Sequence, residues 1–268
     1  MNKKYIDEKD FILEHVLAVC KNILSKPPSV TEEKASFDIV TNIDLEIEKY
    51  LIAKIKSRFP EDSILSEEFN SSQKIEKRTW TIDPIDGTAN FSQGSPLFGI
   101  QTALIENNEV VMSVIVLPVI NEIYYAIKGE GSFLNGKRIE ANKNASLNRA
   151  LVSFGDFQHN KPFNAVIQHS VIGDLRLKVA RIRMFGSACI DLSFVGAGKT
   201  DATVIVTKNL WDIAPGLLIA KEAGAVITNI YGGEYVIGDV GVIASANNLI
   251  SKEISELFNK YDSTKKCS

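Results

Sequence analysis

The sequence predicts a layered α/β fold built on mixed sheets, and three observations point to it. Two apolar stripes of helical spacing open the chain. A run of strand-like segments with short polar breaks follows from about residue 64. The second half then alternates strand-like and helix-like segments. A chain with that succession buries its apolar faces by stacking helices on sheets.

Leu13, Val16, Leu17, Cys20, Ile23 and Leu24 recur at helical steps and predict a first helix, which Pro27-Pro28 should end. Ile43, Ile47, Leu51 and Ile55 predict a second, stopped near Pro60, with Thr41 or Asn42 as its cap. The polar stretch Thr31 to Ser36 between them reads as a mobile loop. Ile64-Leu65 and Trp80-Thr81-Ile82 read as short strands. Ile100 to Ile105, Val110 to Leu117 and Glu122 to Ile127 read as a β-meander, and Asn135-Gly136 is a hairpin turn. Strands are expected near 151–154, 181–185, 202–206, 225–229 and 241–245, with helices near 161–171, 187–197, 213–223 and 248–259. Gly224 sits where a helix C′ glycine is wanted. The polar stretch Asn142 to Asn148 divides the chain into lobes of residues 1–145 and 146–268, which would form one compact unit.

Composition narrows the function. The chain has 268 residues, 45% hydrophobic and 24% charged, ordinary values for a globular protein. Its net charge of -3 argues against general attraction to nucleic acid or to anionic membranes. An anionic ligand would need a local positive feature, such as metal ions or a helix N-terminus. Cys20, Cys189 and Cys267 have neither metal-ligand nor disulfide-framework spacing, so reduced thiols and a cytoplasmic location are expected. The N-terminus lacks a signal-peptide pattern, and no apolar run approaches a membrane span of about 18 residues.

The most informative segment runs from Trp80 to Phe91. A strand-like run ends in Asp83, Pro84 stiffens the turn, and Asp86-Gly87-Thr88 follows. Two carboxylates this close repel, and a cation between them would let both ionise. Hard oxygen ligands suit Mg2+. Gly87 and Thr88 could open a helix whose free N–H groups meet a phosphate. Glu67-Glu68 follows a second strand, Asp212 stands before a helix with Pro215 in its first turn, and Asp44 lies at a helix start. Each has a plain structural account when taken alone. Asp83 and Asp86 suit a turn, Glu67-Glu68 suits a solvated face, and Asp212 suits a helix N-cap.

Together they carry a resemblance. D-P-I-D-G-T, preceded by S-E-E and followed by W-D-I-A, resembles the inositol monophosphatase family. D-I-V-T-N-I-D, the G-E-G-S-F-L-N-G-K hairpin, G-S-A-C-I-D-L and the A-K-E-A-G-A-V-I segment extend the likeness from about Asp38 to Ala246. The resemblance implies a five-layer αβαβα sandwich, a homodimer and a Mg2+-dependent phosphomonoester phosphatase inhibited by Li+. Glu67, Asp83 and the Ile85 carbonyl would hold a first Mg2+, and Asp83, Asp86 and Asp212 a second. A third, weaker ion would sit near Glu67. Asp86, Gly87 and Thr88 would meet the phosphate, while Asp44 and Thr88 orient the attacking water. Arg183, Gly186, Ser187, Ala188, Ile205 and Asp212 would line the substrate's alcohol part. His15, His159 and His169 lie outside these motifs and are not expected in catalysis.

One departure bears on substrate. Animal members of the family place a glutamate seven residues before the W-D aspartate, where this chain has Ile205. An isoleucine cannot hydrogen-bond a polyol, so strict inositol selection is not expected. Arg176, Lys178, Arg181 and Arg183 would favour a substrate with extra phosphate, or else form a solvated strand face. NADP(H) 2′-phosphatase, then fructose-1,6-bisphosphatase or 3′-phosphoadenosine 5′-phosphate phosphatase, are the alternatives. Gly129-Glu-Gly131 lacks the third glycine and the helix of a dinucleotide loop. A metal-dependent regulatory binding protein would have lost a ligand or the water-orienting pair. Asp44, Glu67, Asp83, Asp86, Thr88 and Asp212 are all present. A glycosidase using Glu67 with an aspartate would keep its activity in EDTA.

Overall fold

The computed structural model describes residues 4–22, 24, 26, 29–35, 38–157 and 162–261. Pro27-Pro28, His159 and Cys267 lie outside them. Two helices come first, α1 (Ile6–Asn22) and α2 (Asn42–Arg58), with a two-stranded antiparallel ribbon between them, β1 (Val30–Ala35) and β2 (Asp38–Thr41). A seven-stranded sheet follows, from β3 (Ser63–Ser66), β4 (Arg78–Asp86), β5 (Gly99–Glu106), β6 (Glu109–Leu117), β7 (Glu122–Ile127), β8 (Gly131–Leu134) and β9 (Lys137–Arg138) in that spatial order. The short α3 (Thr88–Ser92) interrupts it after β4. The rest alternates as β10 (Leu151–Phe154), α4 (Pro162–Leu175), β11 (Arg181–Arg183), α5 (Ala188–Gly196), β12 (Ala202–Ile205), α6 (Leu210–Glu222), β13 (Val226–Asn229), β14 (Val242–Ser245) and α7 (Asn248–Tyr261). Its five strands order as β11-β10-β12-β14-β13.

The layers follow from which faces are apolar. Ile12, Val16, Ile43, Ile47 and Leu51 of α1 and α2 bury against Trp80, Ile82, Ile100 and Val114 on one face of the large sheet. Ile115, Leu117 and Tyr124 on its other face meet Cys189, Ile190, Leu218 and Ile219 of α5 and α6. Those two helices also pack on β12 and β14 through Leu192, Ile213, Leu217, Val242 and Ala244. Phe154, Val171, Ile243, Ile254 and Phe258 join α4 and α7 to the far face of the small sheet. The order is helix, sheet, helix, sheet, helix. Helices α5 and α6 are the central layer, so apolar residues run almost without interruption along α6, as expected for a helix covered on two sides.

Two sequence expectations are corrected. Thr31 to Ala35 is strand β1, not a loop. Backbone pairing with β2 defines that ribbon, and polar side chains do not prevent it. Helix α1 starts at Ile6 and buries Ile12, Val16 and Val19, while Leu17 is 40% exposed. The apolar stripe begins earlier than Leu13, and Leu13, Val16, Cys20 and Leu24 all pack on the same core, so Leu17 is the expected residue that turns outward among those described. The Asn135-Gly136 turn matches its signature, with φ of 49° and 79°.

The G-E-G segment has a structural use. Gly129 and Gly131 donate their N–H groups to the Glu222 carboxylate, at 2.9 and 3.0 Å. Both glycines have positive φ, which turns their amides toward one point. The last residue of α6 thus fastens the central helices to the β7–β8 turn. Hydrogen bonds to a charged group contribute about 1.5–3 kcal/mol. Glu222→Ala should therefore lower unfolding stability by about 1–3 kcal/mol. Urea melts would show this as a lower midpoint at unchanged slope, and an unmoved midpoint would show that the clamp contributes nothing.

Candidate active site

Strands β3 and β4 are parallel, so their C-terminal ends share one edge of the sheet, where ligands gather in α/β folds. Their register pairs Ser66 with Ile82. The next residues along each strand are Glu67 and Asp83. Pairing alone therefore brings these two acids side by side. Asp83 pairs with Gln101 across β5, and Asp86 with Gly99, with a bulge between them. Pro84 sits in that bulge, where its missing N–H breaks no ladder bond.

Helix α6 delivers Asp212. Sequence reading put this residue before the helix, but α6 starts at Leu210, so Asp212 lies in its first turn and Asn209 holds the N-cap position without a side-chain capping bond. Thr207 donates its hydroxyl to Asp212 Oδ2 at 3.1 Å. Gln101 Nε2 donates to the Asp212 carbonyl at 3.0 Å and to Asp83 Oδ2 at 3.4 Å. Gln101 thus links Asp83 to the start of the helix. Neither Gln101 nor Thr207 was singled out in the sequence. A polar residue inside the apolar run Ile100 to Ile105 was the available signal for Gln101.

The electrostatics show how near these groups are. Burial pushes the Asp83 carboxyl well above its ordinary value, and the charges of Glu67, Asp86 and Asp212 push it further. Asp83 Oδ1 is buried and has no hydrogen-bond partner among the described residues. Asp86 is also raised by burial, against the opposing pull of its donors. Its Oδ1 accepts the Ala188 N–H at 3.1 Å, and its Oδ2 accepts the Ser187 hydroxyl at 3.1 Å and the Cys189 N–H. The N-terminus of α5, with its partial positive charge, therefore faces this acid. Among the described residues, no three acidic, imidazole or thiol groups close around one point as ligands would. The four acids interact through space, and Asp86 is turned toward α5.

Asp44 completes a second group. Thr41 caps α2 and forms a capping box with Asp44: the Thr41 N–H donates to Asp44 Oδ2 at 3.1 Å, and the Thr41 hydroxyl donates to the same oxygen. The Thr88 hydroxyl lies 3.0 Å from Asp44 Oδ1 and 2.8 Å from the Ile85 carbonyl. It has one proton for these two acceptors. Burial raises Asp44 above its ordinary value, opposed by these donors.

Gly87 has φ of 95°, and a Cβ there would stand 3.1 Å from the Gly186 carbonyl oxygen and 3.2 Å from Ser187 Cβ. Only glycine allows this approach of the two segments. Asn90 Nδ2 holds the joint, donating to Leu97 and Phe185 carbonyls at 2.7 and 2.8 Å. Gly186, Ser187 and Ala188 thereby lie beside Asp86 and Gly87. Arg183 does not join them. It is exposed on the edge strand β11 and donates to its own strand at the Ile182 carbonyl. Arg181 is likewise exposed, the pattern of a solvated strand face. Ile205 is 5% exposed and packs among Leu192, Ile213 and Val242. His15 pairs with Tyr50 and His169 stacks on Phe157, both structural contacts. Cys20 and Cys189 are free thiols.

The donor set fits a hard divalent cation: four carboxylates, one with an orphaned buried oxygen, and no soft ligand in the group. In chelator, the raised Asp83 binds its proton more tightly folded than unfolded. Its stabilising contribution is complete below the ordinary value of 3.8 and is lost as pH rises through the raised folded value. Asparagine cannot ionise. Asp83→Asn should therefore melt above the wild-type protein in EDTA at about pH 8, with the gap narrowing toward about pH 4. Differential scanning calorimetry checks this, and an equal or lower melting temperature at pH 8 would refute it.

Known proteins resemble this chain along most of its length. Residues 12–263 match the inositol monophosphatase family. A Thermotoga maritima protein named fructose-1,6-bisphosphatase/inositol-1-monophosphatase is 39% identical over 232 residues, covering 85% of this chain and 86% of that one. A Vibrio cholerae protein named Nus factor SuhB is 32% identical over 233 residues, covering 85% of each. The solved structure of a Thermotoga maritima IMPase matches with a TM-score of 0.86 at 34% identity, covering 98% of this chain and 100% of that one. The chain belongs to the inositol monophosphatase family, and it is a phosphatase, a hydrolase of phosphoric monoesters.

Proposed function

We propose that this phosphatase is Mg2+-dependent and takes small phosphomonoesters with relaxed specificity, converting inositol 1-phosphate and water to inositol and phosphate. The setting of Asp83 carries this reading: it is buried, its Oδ1 has no partner among the described residues, the charges of Glu67, Asp86 and Asp212 all bear on it, and a bound cation would let it ionise there. Glu67, Asp83 and the Ile85 carbonyl would hold one Mg2+, Asp83, Asp86 and Asp212 a second, and a third would sit weakly near Glu67. Bound there, the ions would offset phosphoryl charge and make a nearby water more acidic. With the Ile85 carbonyl turned to a cation, the Thr88 hydroxyl would donate its hydrogen bond to Asp44 Oδ1, leaving its oxygen lone pairs to accept from that water. Backbone N–H groups of Gly87 and Thr88 would bind phosphate oxygens. Gly186, Ser187 and Ala188 would border the leaving alcohol.

Relaxed specificity is supported by the isoleucine at 205, which is turned into the apolar core beside Ile213 and has no group with which to hydrogen-bond a polyol. The bifunctional name of the Thermotoga maritima relative supports fructose 1,6-bisphosphate as a further substrate. NADP and 3′-phosphoadenosine 5′-phosphate complete the set to be screened. The Nus factor name of the Vibrio cholerae relative raises a regulatory reading, but all six acid and hydroxyl groups of the site are retained here.

A phosphate-release screen over these four compounds tests the proposal. Turnover of inositol 1-phosphate with Mg2+, none in EDTA, and inhibition by millimolar Li+ are expected. Asp83→Asn should reduce turnover below detection while remaining folded. Equal release in EDTA, or near-normal kcat in that variant, would refute the metal assignment.

A further inference from the structure

Glu48 lies one turn after Asp44 on α2, is fully buried, and enters none of the roles described above. Its carboxylate reaches the turn that leaves β3. Glu48 Oε1 accepts the Ser66 hydroxyl at 2.5 Å and the Phe69 N–H at 2.8 Å. Glu48 Oε2 accepts the Glu68 N–H at 2.8 Å. These three donors bracket Glu67 on both sides. Asn70 Nδ2 adds a bond to the Ser66 hydroxyl at 3.1 Å, closing the turn on itself.

The sheet does little to hold this turn. Strand β3 is an edge strand, and among the described residues β4 is its one neighbour. The last backbone bond between them runs from the Glu67 N–H to the Ile82 carbonyl at 3.3 Å. Beyond it the chain has no strand partner, and Glu67 would swing with the turn. A buried carboxylate costs several kcal/mol unless its hydrogen bonds are satisfied. A turn that only had to reverse direction would do so with glycine or asparagine and no buried charge. Here the buried charge takes all three of its described bonds from residues flanking one acid of the cluster.

We propose that Glu48 is a positioning residue that fixes the Ser66–Phe69 turn, aims Glu67 at the acid cluster, and so sets Mg2+ affinity. This rests on the Mg2+ reading of the site. Helix α2 then supports the site twice from one face: Asp44 holds Thr88, and Glu48 four residues later holds the turn carrying Glu67. Residues behind a metal ligand typically alter affinity about 10–100-fold when replaced.

The test uses the full chain as wild type, Glu48→Gln, Ser66→Ala and Glu67→Gln. Mg2+ alone is titrated into each by calorimetry, with melting temperatures in EDTA and kcat at saturating Mg2+ measured alongside. Glu48→Gln keeps shape but opposes an NH2 to at least one donor. It should weaken Mg2+ binding about 10–100-fold while kcat at saturating Mg2+ changes far less. A lowered melting temperature with wild-type Mg2+ affinity would make Glu48 merely structural and overturn the proposal. Should Glu48→Gln fail to fold, Ser66→Ala decides: weakened Mg2+ binding supports the proposal and unchanged binding overturns it. If the wild type binds no Mg2+, or Glu67→Gln binds it equally well, the metal reading fails and this proposal falls with it. That outcome differs from one in which Glu67→Gln weakens binding and Glu48→Gln does not.

Discussion

Three carboxylates at one sheet edge and a fourth from the first turn of α6, gathered about the buried Asp83, set the terms for the rest of this fold. At an effective dielectric of about 20, like charges about 4 Å apart repel by roughly 4 kcal/mol. One hydrogen bond contributes only about 1 kcal/mol net. Gln101 donates to Asp83 through one long bond of 3.4 Å, and the Asp83 carboxyl stays raised despite it. The protein keeps these acids only because its parallel β3–β4 pairing and the first turn of α6 leave them nowhere else to go. The same crowding that destabilises the metal-free chain provides the attraction for a cation, so stability and function oppose each other at this site.

Asp86 shows how the fold limits that conflict. Its oxygens accept from Ser187, Ala188 and Cys189 at the start of α5. Helix dipole and hydrogen bonds together partly offset its burial. The arrangement demands close approach of two chain segments, and Gly87 and Gly186 provide it with positive φ. Gly99 serves a similar purpose: a Cβ there would stand 2.6 Å from Cys189 Sγ and from Leu117. Small residues where α5 meets the large sheet are thus required by the position of an acid.

The central helices α5 and α6 unite the two sheets through apolar contact and through a few polar fastenings. Glu222 binds the β7–β8 turn, Asn90 binds the segment before α5, and Gln101 binds the start of α6. Each fastening joins residues far apart in sequence, and two of the three lie at the acid cluster.

Much was legible in the sequence. Periodicity is local, so the helical stripes at Ile43–Ile55, the meander from Ile100 and the Asn135-Gly136 turn matched what formed. D-P-I-D-G-T with its flanking elements identified the family, because acids, proline and glycine in that order answer a specific chemical demand. Glu48, Gln101 and Thr207 were not legible, since each looks ordinary among its neighbours and gains meaning only from what lies across from it. The ribbon of β1 and β2 was missed for the same reason, as a polar strand is defined by its partner. The sequence by itself determined the elements, the family and which acids were candidates. Only the tertiary structure decided which of them meet and what holds them, because strand register and helix placement are set by long-range packing that no local pattern encodes.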